Sequence, residues 1–321
     1  MGDHLEVSVL MPVRNAERFV GQAIDSVLRQ ITVGLELLII NDGSEDGTGD
    51  IIDGYAGRDD RIRVVSDERI GLVNALEAGR AVARAPLLAR MDADDVAVPD
   101  RLAKQIDFLR RHPGIVAVGG QVEKIDRTGQ IIGHGAYPLD ERACLGHLER
   151  GAPFCHPAVT MRAGAVARCG GYRHRFAAAE DYDLWLRLSK LGGFTNLPDV
   201  VLHYRIHEQS LSMANAGSNA VAAALALTEH LHAGSLVQLE RHASHIGPAG
   251  WPTEWGEIEP HLPGHLRIFA RTAFLRALSL NGAIVEPLET LRLLTSVELL
   301  VRDAAGRNKD DDLLFLFSRA G

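Results

Sequence analysis

Four short, largely apolar runs separated by segments of helical period limit this chain to an α/β architecture. The runs are Val7-Ser8-Val9-Leu10-Met11-Pro12 and residues 35–40, 62–65 and 87–89. Each has the length and composition of a buried strand. Between them, residues 16–28 put Phe19, Val20, Ala23, Ile24 and Val27 on one helical face. Asp46 or Thr48 caps a second helix running toward Tyr55. Residues 71–83 form a third, with Leu72, Ala75, Leu76 and Gly79 at helical spacing. Pro99-Asp100 opens a fourth through Arg111, stopped at Pro113-Gly114. Strand–helix units in series predict a parallel sheet with helices on both faces. Ligands of such sheets sit beyond the carboxyl ends of the strands. Pro12-Val13-Arg14-Asn15, Asn41-Asp42-Gly43-Ser44 and Asp92-Ala93-Asp94 all fall at those ends, which predicts one composite site.

The pattern changes after Val118. Residues 121–126 and 130–133 flank Arg127-Thr128-Gly129, the signature of a hairpin turn. Residues 140–150 read as a helix, and Cys155-His156-Pro157 leads into a strand over 158–161. A helix over 180–191 turns Leu184, Leu188 and Leu191 inward, and 200–206 is a further strand. This half is expected to extend the same sheet and cover its ligand edge. Near Ser210 the composition shifts to Ala- and Leu-rich helical segments, predicting a helical extension over 213–321.

Net charge and cysteine usage exclude several classes. At −8, with no Lys/Arg block, the chain is no general nucleic-acid binder. Cys144, Cys155 and Cys169 are too widely spaced for a disulfide framework or a zinc knuckle, which fits a reducing cytoplasm. Met1-Gly2-Asp3-His4-Leu5-Glu6 does not read as a signal peptide, and no apolar stretch is long enough to span a bilayer. The expected location is cytoplasmic, with peripheral contact at the inner membrane face left open. An apolar face on the tail could pair two chains.

Leu87-Leu88-Ala89-Arg90-Met91-Asp92-Ala93-Asp94-Asp95 carries the chemistry. In an extended chain Asp92 and Asp94 point the same way and Asp95 is turned aside. Two convergent carboxylates repel unless a proton or cation intervenes. Mg²⁺ or Mn²⁺, shared with substrate phosphates, suits such oxygen ligands. Alone, the acids could equally solvate a loop and cap the next helix. Asn41-Asp42-Gly43-Ser44 could likewise be only a turn, or Asp42 could accept an N–H from a nucleotide base. A dinucleotide site is disfavoured, because Pro12-Val13-Arg14-Asn15-Ala16-Glu17 stands where Gly-x-Gly-x-x-Gly would be.

Val9-Leu10-Met11-Pro12-Val13-Arg14-Asn15, Ile40-Asn41-Asp42-Gly43-Ser44 and Met91-Asp92-Ala93-Asp94-Asp95, in this order, resemble glycosyltransferase family 2. The resemblance covers roughly residues 5–210 and implies a GT-A fold: a Rossmann-like, mostly parallel sheet flanked by helices. It divides the chain into a GT-A domain over 1–212 and the extension over 213–321. Within the domain, 1–118 would be the nucleotide-sugar half and 119–212 the acceptor-side half. The family takes a nucleotide-diphospho-sugar, most often a UDP-sugar, uses Mn²⁺ or Mg²⁺, and inverts the anomeric centre in one displacement. By resemblance Pro12, Val13 and Asn15 line the nucleotide pocket, Asp42 reads the base, Asp92 touches ribose or metal, and Asp94 binds metal. Arg69 could contact base or phosphates, or simply be solvated.

Glu180-Asp181-Tyr182-Asp183-Leu184-Trp185 resembles the family's acceptor-side acid motif, which makes Asp181 the expected base and Glu180 its neighbour. Helix capping by the same acids is the alternative. The helix N-terminus lowers the pKa of Asp181, while Glu180, Asp183 and a bound diphosphate push the other way. In Tyr204-Arg205-Ile206-His207, His207 could complete the metal shell. His156 and Trp185 are candidates for the acceptor pocket, Trp185 reading more readily as core. The expected enzyme is a hexosyl- or N-acetylhexosaminyl-transferase of glycan, polysaccharide or glycoconjugate synthesis, acting on a glycan, lipid-linked or protein acceptor. A nucleotidyltransferase and a non-catalytic sugar-nucleotide binder are the rival readings.

Overall fold

The structure is a computed structural model describing residues 5–207 apart from Thr32, Glu149, Arg150 and Ala178, together with Ala223, Ala226 and His230. In chain order the first half comprises β1 (Val7–Val13), α1 (Val20–Leu28), β2 (Leu35–Asn41), α2 (Thr48–Ala56), β3 (Ile62–Ser66), α3 (Leu72–Val82), β4 (Leu87–Arg90), β5 (Val96–Ala97) and α4 (Arg101–Arg111). It continues with β6 (Ile115–Ile125), β7 (Ile131–Gly135), α5 (Glu141–His147), β8 (Thr160–Arg162), α6 (Ala163–Arg168), α7 (Glu180–Leu188) and β9 (Gly193–Arg205). These strands form one sheet in the order β3-β2-β1-β4-β8-β6-β9-β5, with β7 paired to β6.

β1 pairs in parallel with β2 and β4, and β2 with β3. β8 runs antiparallel to both β4 and β6, and β9 returns parallel to β6. This mostly parallel sheet, flanked by helices, is the GT-A arrangement. Alternation along β1 and β2 sorts the two cores. Val7, Val9, Met11, Leu37 and Ile39 pack beneath α1 and α4, while Leu10, Leu38 and Ile40 face α3 and α7. Both faces are covered, so the strands read as nearly continuous apolar runs.

Several sequence expectations shift. The change of pattern at residues 118–119 falls inside β6, so the two halves share one sheet without a break. The α7 helix stops at Leu188, and Leu191, expected inward, is 36% exposed. Gly192-Gly193 follow it and favour neither a further helical turn nor a buried anchor. The strand expected from Ala158 begins at Thr160, because His156–Ala158 forms a single 3₁₀ turn ahead of β8. The hairpin stands as expected, its turn closed by the Asp126 carboxylate, which accepts the N–H groups of Thr128 and Gln130. Asp46, not Thr48, serves the start of α2: its Oδ1 accepts the Thr48 N–H at 3.1 Å. All three thiols are free. The expected extension over 213–321, with its dimer face, lies outside the described residues except for Ala223, Ala226 and His230, of which Ala226 is buried against the core around Trp185.

Candidate active site

The carboxyl ends of β1, β2 and β4 meet along one edge, and a mesh of short polar contacts fixes the loops there. Asn15, in the left-handed region at φ 48°, accepts the Glu45 N–H on its Oδ1 at 2.8 Å and gives its own N–H to Ser44 Oγ at 3.0 Å. Ser44 Oγ donates in turn to Asn41 Oδ1 at 2.6 Å. Gly43 has φ +63°, and a Cβ there would lie 2.8 Å from that of Arg69, so the turn tolerates only glycine. Asp42 is buried, and its Oδ1 accepts the N–H groups of Ile70 and Gly71 at 2.5 and 2.7 Å. One carboxylate oxygen therefore holds the loop bearing the exposed Arg69, which leaves the other for a ligand. Pro12 and Val13 are buried in β1. Val13 lies in the core, and its carbonyl accepts the Asp42 N–H at 2.8 Å. Of the three expected pocket-lining residues, only Asn15 presents its side chain.

At the end of β4 the carboxylates of Asp92, Asp94 and Asp95 each bring an oxygen within 4.8 Å of the others. Asp95 was expected to turn aside and does not. β4 stops at Arg90 and the chain turns at Ala93-Asp94, so the alternation of an extended strand no longer applies. Asp95 is 1% exposed, its Oδ1 accepts the Arg205 N–H at 2.8 Å, and its Oδ2 has no hydrogen-bond partner among the described residues. Burial, then the neighbouring carboxylates, pushes Asp95 well above the ordinary carboxylate range. Asp94 is raised for the same reasons, with His207 acting against the shift. His207 Nε2 lies 2.8 Å from Asp94 Oδ2, and its ring sits beside Phe19. Convergent hard oxygens, one of them orphaned, and an adjacent imidazole fit a Mn²⁺ or Mg²⁺ ion. Asp94, Asp92 and His207 would hold it.

Arg205 braces this loop, and motif reading passes over it. It is 2% exposed, donates from Nε to the Asp94 carbonyl at 2.7 Å and from Nη1 to the Asp126 carbonyl at 2.8 Å. A buried arginine at the end of β9 is the signal that could have marked it.

The acceptor side is built on α7. Glu180 and Asp181 open the helix, and burial outweighs the backbone hydrogen bonds and the Arg90 charge that favour their ionised forms. Burial and then the charge of Asp181 push Glu180 up to about 8, and burial also raises Asp181. Asp183 plays a different part: it is buried and accepts from Arg173 and Arg187, the latter at 2.6 Å. His156 Nε2 lies 2.9 Å from Tyr172 Oη, and burial, followed by the Arg90 charge, holds the imidazole neutral. Trp185 is fully buried, packed edge-on against Phe154, Phe194 and His156. It presents no face on which a sugar could stack, so the acceptor role considered for it is withdrawn. It shapes the pocket by seating His156.

With this geometry established, comparison with known proteins is decisive. The family model described as Glycosyl transferase family 2 matches residues 8–170. The chain belongs to glycosyltransferase family 2. It is 36% identical over 211 residues to EpsE of Bacillus subtilis (strain 168), covering 64% of this chain and 74% of that protein. The fold resembles that of the mannosyltransferase PcManGT from Pyrobaculum calidifontis, solved with GDP-Man and Mn²⁺. The TM-score is 0.54 at 19% identity, over 93% of this chain and 81% of that one. It also resembles S. aureus TarS 1-349 in complex with UDP-GlcNAc, with TM-score 0.56 at 14% identity, over 88% of this chain and 93% of that one. This family 2 glycosyltransferase thus has the expected GT-A fold. Among its described residues no helix is long and apolar enough to cross a membrane.

Proposed function

We propose that this chain is an inverting glycosyltransferase that moves a sugar from a UDP-sugar to an acceptor hydroxyl of a glycan or glycoconjugate. The observation carrying this reading is a buried base-side carboxylate at Asp42, an acidic cluster at Asp92, Asp94 and Asp95, and an acid pair opening α7, with Glu180 buried and Asp181 half-buried. A GT-A neighbour solved with GDP-Man and another solved with UDP-GlcNAc support a nucleotide-sugar donor in general. A carboxylate at Asp42 would accept the imide N–H of uracil, a donor that cytosine lacks.

A bound Mn²⁺ or Mg²⁺ would supply positive charge against the departing diphosphate. The protein groups do the rest. Asn15 and the second oxygen of Asp42 orient the nucleoside. Asp181 takes the proton of the acceptor hydroxyl as that oxygen bonds to the anomeric carbon. The bond from that carbon to the diphosphate oxygen breaks on the opposite face, which inverts the centre. Glu180, raised to about 8, holds its proton at neutral pH and stands beside Asp181 as an uncharged neighbour. His156 and Tyr172 wall the acceptor side.

The test is Asp181→Asn. The amide keeps shape and can still accept a hydrogen bond but takes no proton. Transfer should fall by about 10²–10⁴ with UDP affinity little changed. Near-normal transfer by Asp181→Asn, with loss in Glu180→Gln, would move the base to Glu180.

A further inference from the structure

β4 ends in a cation that the expected chemistry does not use. Arg90 is 3% exposed, and its backbone is pinned from both sides: its N–H donates to the Val159 carbonyl at 2.9 Å, and its carbonyl accepts from Arg101 Nη2 at 2.8 Å. Taking a guanidinium out of water is costly unless its donors are taken up. Arg205, equally buried, gives its donors to the carbonyls of Asp94 and Asp126 and to the Gln22 amide oxygen at 2.7 Å. Arg90 does not follow that pattern. Its Nη1 lies 2.6 Å from Asp92 Oδ1, yet Nη1 and Nε make no well-directed hydrogen bond among the described residues. The contact is an ion pair, and part of the guanidinium is left unspent.

Its surroundings indicate what that charge does. Asp92, on the donor side, is the carboxylate paired with it. On the acceptor side its field reaches Tyr172, His156, Glu180 and Asp181. Asp92 repels the same acid pair. Without Arg90, Asp92 and Asp181 would repel each other with their common counter-charge gone.

We propose that Arg90 is a positioning residue of the transfer step: its ion pair holds Asp92 on the donor side while its charge faces Glu180 and Asp181, so that one buried cation keeps the two halves of the site in working relation. The inference rests on the function proposed above. Removing the cation should act on chemistry more than on nucleotide binding. The base would lose the charge that favours its anionic form, whereas Asn15 and Asp42 would stay in place.

The experiment compares the full chain with Arg90→Met and Arg90→Lys, using UDP-sugar turnover and the melting temperature of metal-free protein. Arg90→Met should lower kcat about 10–100-fold, the usual range for a residue that orients a site's ligands, with a smaller rise in donor KM from the loosened Asp92. Arg90→Lys should recover most of the loss. In metal-free protein, the melting temperatures of Arg90→Met, Asp92→Asn and the double variant should show coupling, the double losing less than the sum. Wild-type kcat per folded molecule in Arg90→Met, a Lys variant as poor as Met, or additive melting shifts would each overturn the proposal. If Arg90→Met does not fold, Arg90→Lys with and without Asp92→Asn carries the same comparison. If wild-type protein turns over no donor, the function reading fails, and the metal-free cycle still decides: coupling supports the link between Arg90 and Asp92, and additivity overturns it.

Discussion

His207 Nε2 lies 2.8 Å from Asp94 Oδ2 across a separation of 113 residues, which closes the end of β9 onto the acidic loop after β4. This contact brings a residue of the acceptor half to the donor half's carboxylates. Asp94→Ala should remove most metal-stimulated turnover and leave the melting temperature near wild type, and EDTA should have the same effect on unmodified protein. His207→Ala should cost less, about 10–100-fold, because it supports the carboxylate as well as offering a ligand. Mn²⁺ titration of turnover in both variants checks this, and full activity of metal-stripped protein would remove the metal from the account.

Asp42 is half committed to structure. Its Oδ1 holds the N–H groups of Ile70 and Gly71, so truncation to alanine would loosen the loop as well as the base pocket. Asp42→Asn is the cleaner probe. Its carbonyl can keep the two N–H groups while its amide turns a donor toward the base. UDP affinity should fall by roughly ten- to a hundredfold, the effect of an unmatched buried polar group worth about 1–3 kcal/mol. Wild-type protein should prefer UDP to CDP. Calorimetry giving equal affinities for the two nucleotides would refute the role of Asp42.

Glu180 predicts an unusual pH dependence of stability. Burial and then Asp181 raise it from the ordinary 4.5 to about 8, so between those values the native state keeps a proton that the unfolded chain has released. Stability contributed by this group is therefore full below about 4.5 and is lost as pH rises toward 8. Glu180→Gln cannot titrate. Its melting temperature relative to wild type should rise between pH 5 and about pH 8 and level off above. Parallel curves over that range would show that Glu180 is not raised.

Glu36 makes the opposite case at the far end of the strands. It is 1% exposed and accepts from Ser8 Oγ at 2.7 Å, from the Arg84 N–H at 2.8 Å and from the Arg63 guanidinium at 2.8 Å. Burial raises its pKa, and these bonds outweigh burial and hold it at about 2. The sign is that of a depressed acid: the stability it brings is present above 4.5 and disappears as pH falls toward 2. Glu36→Gln should cost about 1–3 kcal/mol in urea denaturation at neutral pH. UDP affinity should be unchanged, since Glu36 lies at the start of β2 and Asp42 just beyond its end.

The parallel half of the fold was legible because its strands are buried on both faces and declare themselves as apolar runs. Residues 35–40 could be little else. The later strands were harder for a physical reason. β9 begins Gly193-Phe194-Thr195-Asn196-Leu197-Pro198, with no strand pattern, and its pairing to β6 supplies what local preference lacks through several register shifts. β5 is only two residues long and exists through its pairing with β9. In the site, motif reading brought Asp42 and Asp94 forward as candidates, and the family resemblance added the Glu180-Asp181 pair. Motif reading misplaced Asp95, because a turn replaces the strand there, and it passed over Arg90 and Arg205, whose meaning lies in burial. Trp185 shows the converse. An aromatic residue beside a candidate base invites a sugar-stacking role, and only complete burial tells against it.

The central claim is metal-assisted transfer from a uridine nucleotide-sugar, and a donor panel tests it most directly. The purified chain should be incubated with UDP-, GDP- and dTDP-sugars, with and without Mn²⁺, and release of the nucleoside diphosphate measured. The account predicts release from a UDP-sugar only when metal is present, and its loss in Asp94→Ala. Release from no donor, despite measurable UDP binding, would contradict it in favour of a non-catalytic binder, as would turnover that is indifferent to metal and base.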